Sequence, residues 1–598
     1  MADSVKKEIP TTPASALQYD IKEEKEEMKY GMKYKWIVLS NTTIGALMAS
    51  IDGSIVLISL PAIFNGLGVN PLVPANISLL IWMLLGYMIV TSVLVVTIGR
   101  LGDMFGRVKV YNIGFVIFAI TSVLIWLSTY AIHGTGGALS IILLRLLQAF
   151  GASCIFANMF AMITDAFSHK ERGMALGING VAFAGGSVIG LVVGGVLASI
   201  DWHLIFLISV PVTVAGAIWS YIALHEISQV KKGRTLDLPG NILLALALTV
   251  TLISLTYAFL PYGTSSTGWT NPITYGGILA GILITVLFVF VELRSEDPML
   301  DVRLFKNKTF ASANLSGFLS GMARGGLQFM LIIWLQGVYL PLHGVEFVRT
   351  PLIAAIYMLP LTIGFLIFGP ISGKLSDRYG QRWFMTAGML LNVIGFIALS
   401  FLPVQFTLLP FVLITFLIGI GQGLFSSPNS TSIMNTVPPQ QRGAVGGMRA
   451  TFFNMSFMFS IIVFFTLLIS GLAITLPHAL YAGLTSQGVQ PAAALNISHI
   501  PPTAALFATF LGFNPLKQIV PASVMASLTP AQQATMVSTQ FFPQMISQPF
   551  IGSLKVVLWV ATAMSLIAAL LSAIFKVQSI YDPKTGHHAG STPPPPAH

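Results

Sequence analysis

The segment GRLGDMFGR, from Gly99 to Arg107, indicates how the chain is organised, because a second copy, GKLSDRYGQR, runs from Gly373 to Arg382. Alignment of the two copies places Asp103 on Asp377, with glycines in register on either side. Glycine permits a sharp turn and close helix approach. An Asp beside Arg or Lys offers a charge pair that can form in one conformation and break in another. Ordinary loop composition would explain one copy, whereas two matched copies indicate two homologous halves.

The composition around these loops is that of a membrane protein. Hydrophobic residues make up 55% of the 598 residues and charged residues only 9%, with a mean hydropathy of +0.81. A water-soluble globule of this size needs more polar surface. The net charge of +10 is spread in short clusters between apolar segments, which argues against a nucleic-acid-binding face. The single cysteine, Cys154, lies in an apolar segment and excludes an intramolecular disulfide.

Apolar segments long enough to cross a bilayer, about 20 residues each, predict fourteen transmembrane helices in an all-α polytopic fold. The predicted starts lie near Trp36, Ile77, Lys109, Ala138, Met174, His203, Leu238, Ile273, Ala311, Leu352, Trp383, Leu408, Gly447 and Gly552.

The distribution of positive charge predicts the orientation, because short cytoplasmic loops are enriched in Lys and Arg. If the N-terminus lies inside, then of the 31 Lys and Arg only Arg349 and Lys517 fall in outside loops. We therefore expect both termini in the cytoplasm. The N-terminal stretch is a mixed Lys/Glu segment without an apolar core, so no removable signal peptide is expected.

The expected organisation is two six-helix bundles with an inserted helix pair between them. An extracytoplasmic loop rich in Pro, Ala, Gln and Ser is too long for a simple turn. Its apolar piece, Thr503 to Phe513, is too short for a span and suggests an interfacial or re-entrant helix. The predicted parts are an N-terminal tail (1–35), the N-terminal bundle (36–225), the inserted pair with its linkers (226–310), the C-terminal bundle (311–472 and 552–576), the long loop (473–551) and a C-terminal tail (577–598).

Charged residues inside the membrane are costly, about 2.5–3.5 kcal/mol each on insertion scales, and are therefore functional candidates. Of the 21 Asp and Glu, Asp52 alone lies well inside a predicted span, which makes it the candidate proton site. The alternative is an Asp that caps a kinked helix. Arg145 and Gln148 lie one turn apart on one helix face. We expect Arg145 to contact Asp52 and set its protonation state; the alternative is a packing Arg that snorkels to the interface.

These motifs resemble the major facilitator superfamily, specifically its fourteen-helix drug:proton antiporter branch, from Asp52 to about Met455. The two loops resemble the superfamily signature after helices two and ten, which implies a cytoplasmic gate formed by Asp103, Arg107, Asp377 and Arg378. The string IDGSIVLISLP resembles the branch's first-helix motif, with Leu57 in place of its Asn, and RLLQAFG resembles R-x-x-Q-G. The resemblance implies proton coupling at Asp52 and Arg145.

The string GGSVIGLVVGG resembles the antiporter motif of the fifth helix, although Leu191 stands where that motif has Pro. Its small residues at intervals of four predict close helix packing at Gly186, Gly190, Gly194 and Gly195. The missing Pro weakens the antiport assignment in particular.

Polar residues elsewhere in the spans are candidates for a substrate cavity. Arg324 suggests an anion-facing wall in the C-terminal half, because a buried cation needs a partner. For Arg449, a headgroup contact is an equal alternative. The full set of candidates is Gln148, Asn158, Arg324, Gln328, Gln336 and Asn454.

The leading hypothesis is a secondary transporter of the plasma membrane that exports amphipathic or cationic small molecules, such as drugs, in exchange for protons by alternating access. Export of an endogenous metabolite, siderophore or lipid is the alternative, and a non-transporting scaffold or sensor is a third. Neither a metal cluster nor a phosphate-binding loop is evident. We therefore expect no enzyme activity, no catalytic residues, no metal and no cofactor, no nucleic-acid partner, and a monomer in the lipid bilayer.

Overall fold

The computed structural model describes residues 33–70, 73–167, 172–227, 237–258, 260–263, 265–295, 298, 302–437 and 442–574. These residues form helices and connecting turns, with one isolated β-bridge between Tyr262 and Ser265. Within them, fourteen helices are long and apolar enough to span a membrane. The predicted helix number and all-α fold class are confirmed, and the tails 1–32 and 575–598 lie outside the described residues.

In the first half the spanning helices are α1 (Tyr34–Leu67), α2 (Pro74–Phe105), α3 (Arg107–Ala131), α4 (Gly134–Ala166), α5 (Arg172–Ile200) and α6 (Leu204–Ala223). The inserted pair is α7 (Leu238–Tyr257) and α8 (Pro272–Arg294). The second half contains α9 (Lys308–Leu342), α10 (Thr350–Tyr379), α11 (Gln381–Ser400), α12 (Leu408–Asn435), α13 (Arg442–Ser486) and α14 (Phe541–Ile574).

Side-chain caps position the inserted pair and the helix after it. Asp237, Asn271 and Asn307 precede α7, α8 and α9, and each accepts a hydrogen bond from a backbone N–H in the first turn of its helix. Such caps satisfy donors that have no partner within the helix. Helix α7 packs on α2, and α8 packs on α7.

The two bundles pack internally through α1 on α5 and α3 on α4 in the first half, and through α10 on α12 and α9 on α13 in the second. Between the halves, α5 packs on α10 and α2 on α13. We call the side with the duplicated loops the motif side. On the opposite side, Gly195 of α5 lies against the backbone of Leu352 of α10. There, the Gln336 Nε2 of α9 donates to the Ile58 carbonyl of α1 at 3.1 Å. The halves are therefore in close contact away from the motif side.

Helices α13 and α14 extend beyond the predicted boundaries 472 and 552. Helix α13 continues to Ser486 and α14 begins at Phe541. Leucines at every fourth position from Leu468 to Leu484 are fully buried. This continuous apolar stripe supports the helix past Pro477, as expected for residues that share one helix face. The connecting segment is thus 487–540, shorter than the predicted loop 473–551.

We call residues 487–540 the cap segment. It contains five short helices, Pro491–Ser498, Pro502–Phe510, Leu516–Ile519, Ala522–Ala526 and Pro530–Val537. The second of them corresponds to the predicted short apolar helix, and it is buried against protein from Thr503 onwards. Phe507 stacks on Phe465 of α13, with ring centroids 5.3 Å apart. The Asn70 Nδ2, after α1, donates to Gln518 Oε1 at 2.9 Å, so the cap segment touches both halves.

Candidate functional site

Asp52 lies near the middle of α1 and is 2% exposed. The Nη1 atom of Arg145, on α4, is 3.5 Å from its Oδ2 atom, and Arg145 is 3% exposed. A lone buried charge is strongly disfavoured, and an opposite charge at this distance offsets part of that cost. The expected contact between Asp52 and Arg145 is present, and Asp52 does not cap a helix.

Gln148 joins the two charged residues to a wider network. Its Nε2 donates to Asp52 Oδ1 at 3.3 Å and to Ser122 Oγ at 2.9 Å, while its Oε1 accepts from Arg145 Nη1 at 3.4 Å. The Arg145 guanidinium lies over the Tyr87 ring, 4.9 Å from its centroid. Helices α1, α2, α3 and α4 therefore all contribute a side chain to this site, which we call the Asp52 site.

Two buried polar atoms of the Asp52 site can form further hydrogen bonds. Among the described residues, no hydrogen bond reaches Asp52 Oδ2 or Arg145 Nε, although both atoms are buried. A carboxylate oxygen in this state can take up a proton, which removes the charge that holds the guanidinium. The arrangement can therefore exist in a paired, charged form or in a protonated form in which the pair is weakened.

The loop motif after α2 forms a charge network within the first half. The Arg107 Nε donates to Asp103 Oδ1 at 2.8 Å, and its Nη1 pairs with Asp165 at the end of α4. Glu226, after α6, accepts from the backbone N–H groups of Arg107 and Val108 at 3.0 Å each, and so caps α3. Helices α2, α3, α4 and α6 are thereby tied together on the motif side.

Arg378 of the second motif copy is exposed, and its guanidinium lies 5.5 Å from the centroid of the neighbouring Tyr379 ring. The side chain of Asp377 lies outside the described residues, so the predicted gate role of this copy stays a prediction. The backbone of both copies places a positive-φ glycine, Gly106 or Gly380, between the two helices it joins.

The predicted packing glycines lie at two interfaces. A Cβ at Gly190 would lie 2.7 Å from the Ile51 carbonyl oxygen of α1, and Gly186 and Gly194 meet α1 one turn to either side. Gly195 instead faces α10 of the other half, where a Cβ would lie 2.6 Å from Leu352 Cα. Close approach of α1 and α5 thus survives with Leu191 in place of proline.

Two adjoining cavities lie next to α9 and α12. The first is lined by residues of α9, α10 and α12 together with Ser187 of α5. The second lies toward the motif side, between α9, α12 and α13. Arg324 and Gln422 line both cavities.

Four of the predicted cavity residues do not line these two cavities. Gln148 belongs to the Asp52 site, and Asn158 donates to the Cys154 carbonyl at 2.8 Å and packs on α2. Gln336 is buried at the contact between the halves. Asn454 is half-buried and lies about 100° around α13 from Phe453, which does line the second cavity. Of the predicted set, Arg324 and Gln328 line a cavity.

Arg449 lines the second cavity together with Arg324. The residues that sequence reasoning missed are partners of predicted ones: Tyr87 and Ser122 at the Asp52 site, and Asp165 and Glu226 in the charge network. They lie near helix ends or among many similar aromatic and hydroxyl residues, so only cross-helix contacts distinguish them.

The sequence matches the Major Facilitator Superfamily over residues 42–461. It is 30% identical to the riboflavin transporter RibZ of Clostridioides difficile (strain 630), over 71% of this chain and 86% of that protein. It is 25% identical to the tetracenomycin C resistance and export protein of Streptomyces glaucescens, over 82% of this chain and 87% of that protein.

A solved structure of a bacterial homologue of the human lysosomal transporter Spinster has the same fold. The TM-score is 0.51 at 16% identity, and the match covers 90% of this chain and 98% of that one. With a family match that spans both motif copies and the Asp52 site, the chain belongs to the Major Facilitator Superfamily of membrane transporters.

Proposed function

We propose that this transporter exports amphipathic small molecules in exchange for protons, with the Asp52 site as the point of coupling. The observation that carries the proposal is the buried pair of Asp52 and Arg145, 3.5 Å apart in the middle of the first bundle. An ionisable pair at this depth is expensive and is typical of proton relays. A static scaffold would gain more from apolar residues of similar volume.

Protonation of Asp52 is the step that couples proton movement to substrate movement. The charged pair holds α1 and α4 together, whereas protonation of Asp52 leaves the guanidinium with only its contacts to the Tyr87 ring and Gln148. A change in helix packing then follows, because packed interfaces adopt discrete arrangements. Ser187, which lines the first cavity, lies 3.0 Å from Ser50 Oγ, two residues before Asp52. This contact joins α1 to α5 beside the first cavity.

The proton gradient is sufficient for this work. A potential of 100 mV supplies about 2.3 kcal/mol per charge, which supports about 50-fold accumulation of a neutral substrate per proton. We place both termini in the cytoplasm on the strength of the Lys and Arg distribution, and we further propose that the protein is a monomer in the plasma membrane. The motif side is then cytoplasmic and the cap segment external.

Export of drug-like molecules is supported by the tetracenomycin C resistance and export protein, which aligns over 82% of this chain. The RibZ relative favours a second candidate, transport of an endogenous metabolite such as riboflavin. Uptake of labelled riboflavin and of tetracenomycin C into inverted vesicles distinguishes the two.

The proposal is tested in proteoliposomes with an imposed pH gradient. Asp52→Asn, which mimics the protonated residue, should abolish gradient-driven accumulation of substrate while it preserves downhill exchange. Asp201→Asn is the control, because Asp201 is a partly exposed carboxylate between α5 and α6. If Asp52→Asn accumulates substrate as wild type does, with unchanged proton movement, the Asp52 site is not the coupling site.

A further inference from the structure

The second cavity carries two positive charges. Arg324 lies near the middle of α9 and Arg449 near the motif-side start of α13, and both line the same space. Neither cavity has an Asp or Glu among its lining residues. The cavity therefore has a positive potential from its motif-side end to the middle of the bundle.

Neither arginine has an anionic partner in the described part of the chain. The Arg324 guanidinium lies over the Phe365 ring, 4.4 Å from its centroid, and no ion pair or hydrogen bond engages Arg324 or Arg449. The one carboxylate deep in the spans, Asp52, is already paired with Arg145. Two guanidiniums in a membrane cavity without carboxylates are costly unless a ligand supplies the negative charge.

Other groups on the cavity wall fit the rest of such a ligand. Ser320 donates to Gln422 Oε1 at 3.2 Å, which leaves the buried Gln422 Nε2 without a hydrogen-bond partner. Asn429 Oδ1 is likewise buried and without one. Aromatic rings at Phe318 and Phe452 complete the wall. The cavity thus offers two guanidiniums, an amide donor and ring faces.

We propose that the transported substrate is an aromatic or apolar molecule that carries a carboxylate, phosphate or sulfonate group, and that Arg324 and Arg449 bind that group. Arginine suits oxyanions because its planar fork donates two parallel hydrogen bonds. The proposal rests on the proposed transport function. It narrows the amphipathic substrates expected from the family resemblance to anionic ones and excludes the cationic substrates. A cationic substrate would meet like charge at both arginines.

Two dyes with one xanthene core and opposite charge test the inference. Fluorescein is anionic at pH 7.5 and rhodamine 123 is cationic. Proteoliposomes of phosphatidylcholine alone, with an imposed pH gradient, should accumulate fluorescein in preference to rhodamine 123. Arg324→Gln and Arg449→Gln should each reduce fluorescein transport about tenfold or more, as expected for loss of a charged hydrogen bond. Arg324→Lys should retain part of it.

Arg349→Gln is the matched control, because Arg349 is exposed on the opposite side and pairs with Glu346. Binding of fluorescein to the purified variants, measured by thermal stabilisation, shows whether a variant is folded but unable to bind. Preference for rhodamine 123, fluorescein transport that is indifferent to both arginines, or no fluorescein binding to wild type overturns the inference.

An anionic lipid headgroup has the same chemistry as the proposed substrate group, and phosphatidylglycerol distinguishes the two. If the arginine variants lose only stabilisation by phosphatidylglycerol and keep fluorescein transport, the cavity binds a lipid headgroup and the inference is overturned. Failure of the proposed function has a different signature. In that case the dye moves without any proton movement, and the rate of dye movement is the same in wild type and Asp52→Asn.

Discussion

Asp52 and Arg145 are close because of two constraints that a sequence reveals only in part. The cost of a membrane-embedded charge is visible in the sequence and predicts that each residue needs a partner. The register of α1 against α4 is not visible, and it decides that Gln148 bridges the pair while Tyr87 covers the guanidinium. Sequence reasoning could therefore predict the pair and miss its surroundings.

The bridge through Gln148 yields a prediction at this scale. Gln148→Leu keeps a similar volume but removes the hydrogen bonds to Asp52 and Arg145. Hydrogen bonds to charged groups contribute about 1.5–3 kcal/mol, so we expect proton-coupled transport to slow about tenfold. Initial rates in proteoliposomes measure the effect. Ser122→Ala is the control, since it leaves the bond between Gln148 and Asp52 intact, and equal rates in all three proteins would contradict the bridging role.

At the scale of helices, hydropathy predicts where a span exists better than where it ends. The number of spans was predictable, because each needs about 20 apolar residues. The ends of α13 and α14 were not, because Pro477 and His478 interrupt the apolar sequence beyond Leu472, although the buried leucines continue at every fourth position. The sequence left two roles open for Arg449, a headgroup contact or a cavity contact. Its position near the start of a helix does not show which face of that helix meets a cavity.

The interface between α1 and α5 supports a prediction with a matched control. A methyl group at Gly190 meets the backbone of Ile51, whereas Gly185 on the same helix has open space around it. We expect Gly190→Ala to cost about 1–3 kcal/mol by overpacking and to lower the unfolding temperature by several degrees. Gly185→Ala should leave that temperature unchanged or raise it slightly, since Ala favours helix over Gly. Thermal unfolding in detergent distinguishes them, and equal destabilisation would contradict close packing at Gly190.

For the whole molecule, the contacts between the halves describe one state of an alternating-access cycle. Gly195 meets Leu352, and Gln336 reaches Ile58, on the side opposite the motif loops. The cavity with Arg449 lies toward the motif side. Opening on the side opposite the motif side then requires the contacts at Gly195 and Gln336 to separate, together with the contact between the cap segment and the first half.

A reversible cross-link to the cap segment tests that requirement. In a Cys154→Ser background, which removes the one native cysteine, Asn70→Cys with Gln518→Cys replaces two side chains that hydrogen-bond at 2.9 Å between the first half and the cap segment. A short bis-methanethiosulfonate should join the two thiols, and we expect transport to stop after cross-linking and to return with reductant. Thr529→Cys with Gln532→Cys is the control, because the native side chains hydrogen-bond within the cap segment, and it should leave transport largely intact. Undiminished transport by the cross-linked 70–518 pair would rule out separation of the cap segment from the first half.

Proton movement driven by substrate tests whether the Asp52 site couples the two fluxes, because it reports coupling without an imposed pH gradient. Proteoliposomes loaded with a pH-sensitive dye receive a transported substrate on one side, and the internal pH is followed in wild type and Asp52→Asn. We expect a prompt pH change in wild type that reports proton movement opposite to the substrate flow. In Asp52→Asn we expect substrate movement without any pH change. A pH change of equal size in both proteins would contradict the assignment of proton coupling to the pair of Asp52 and Arg145.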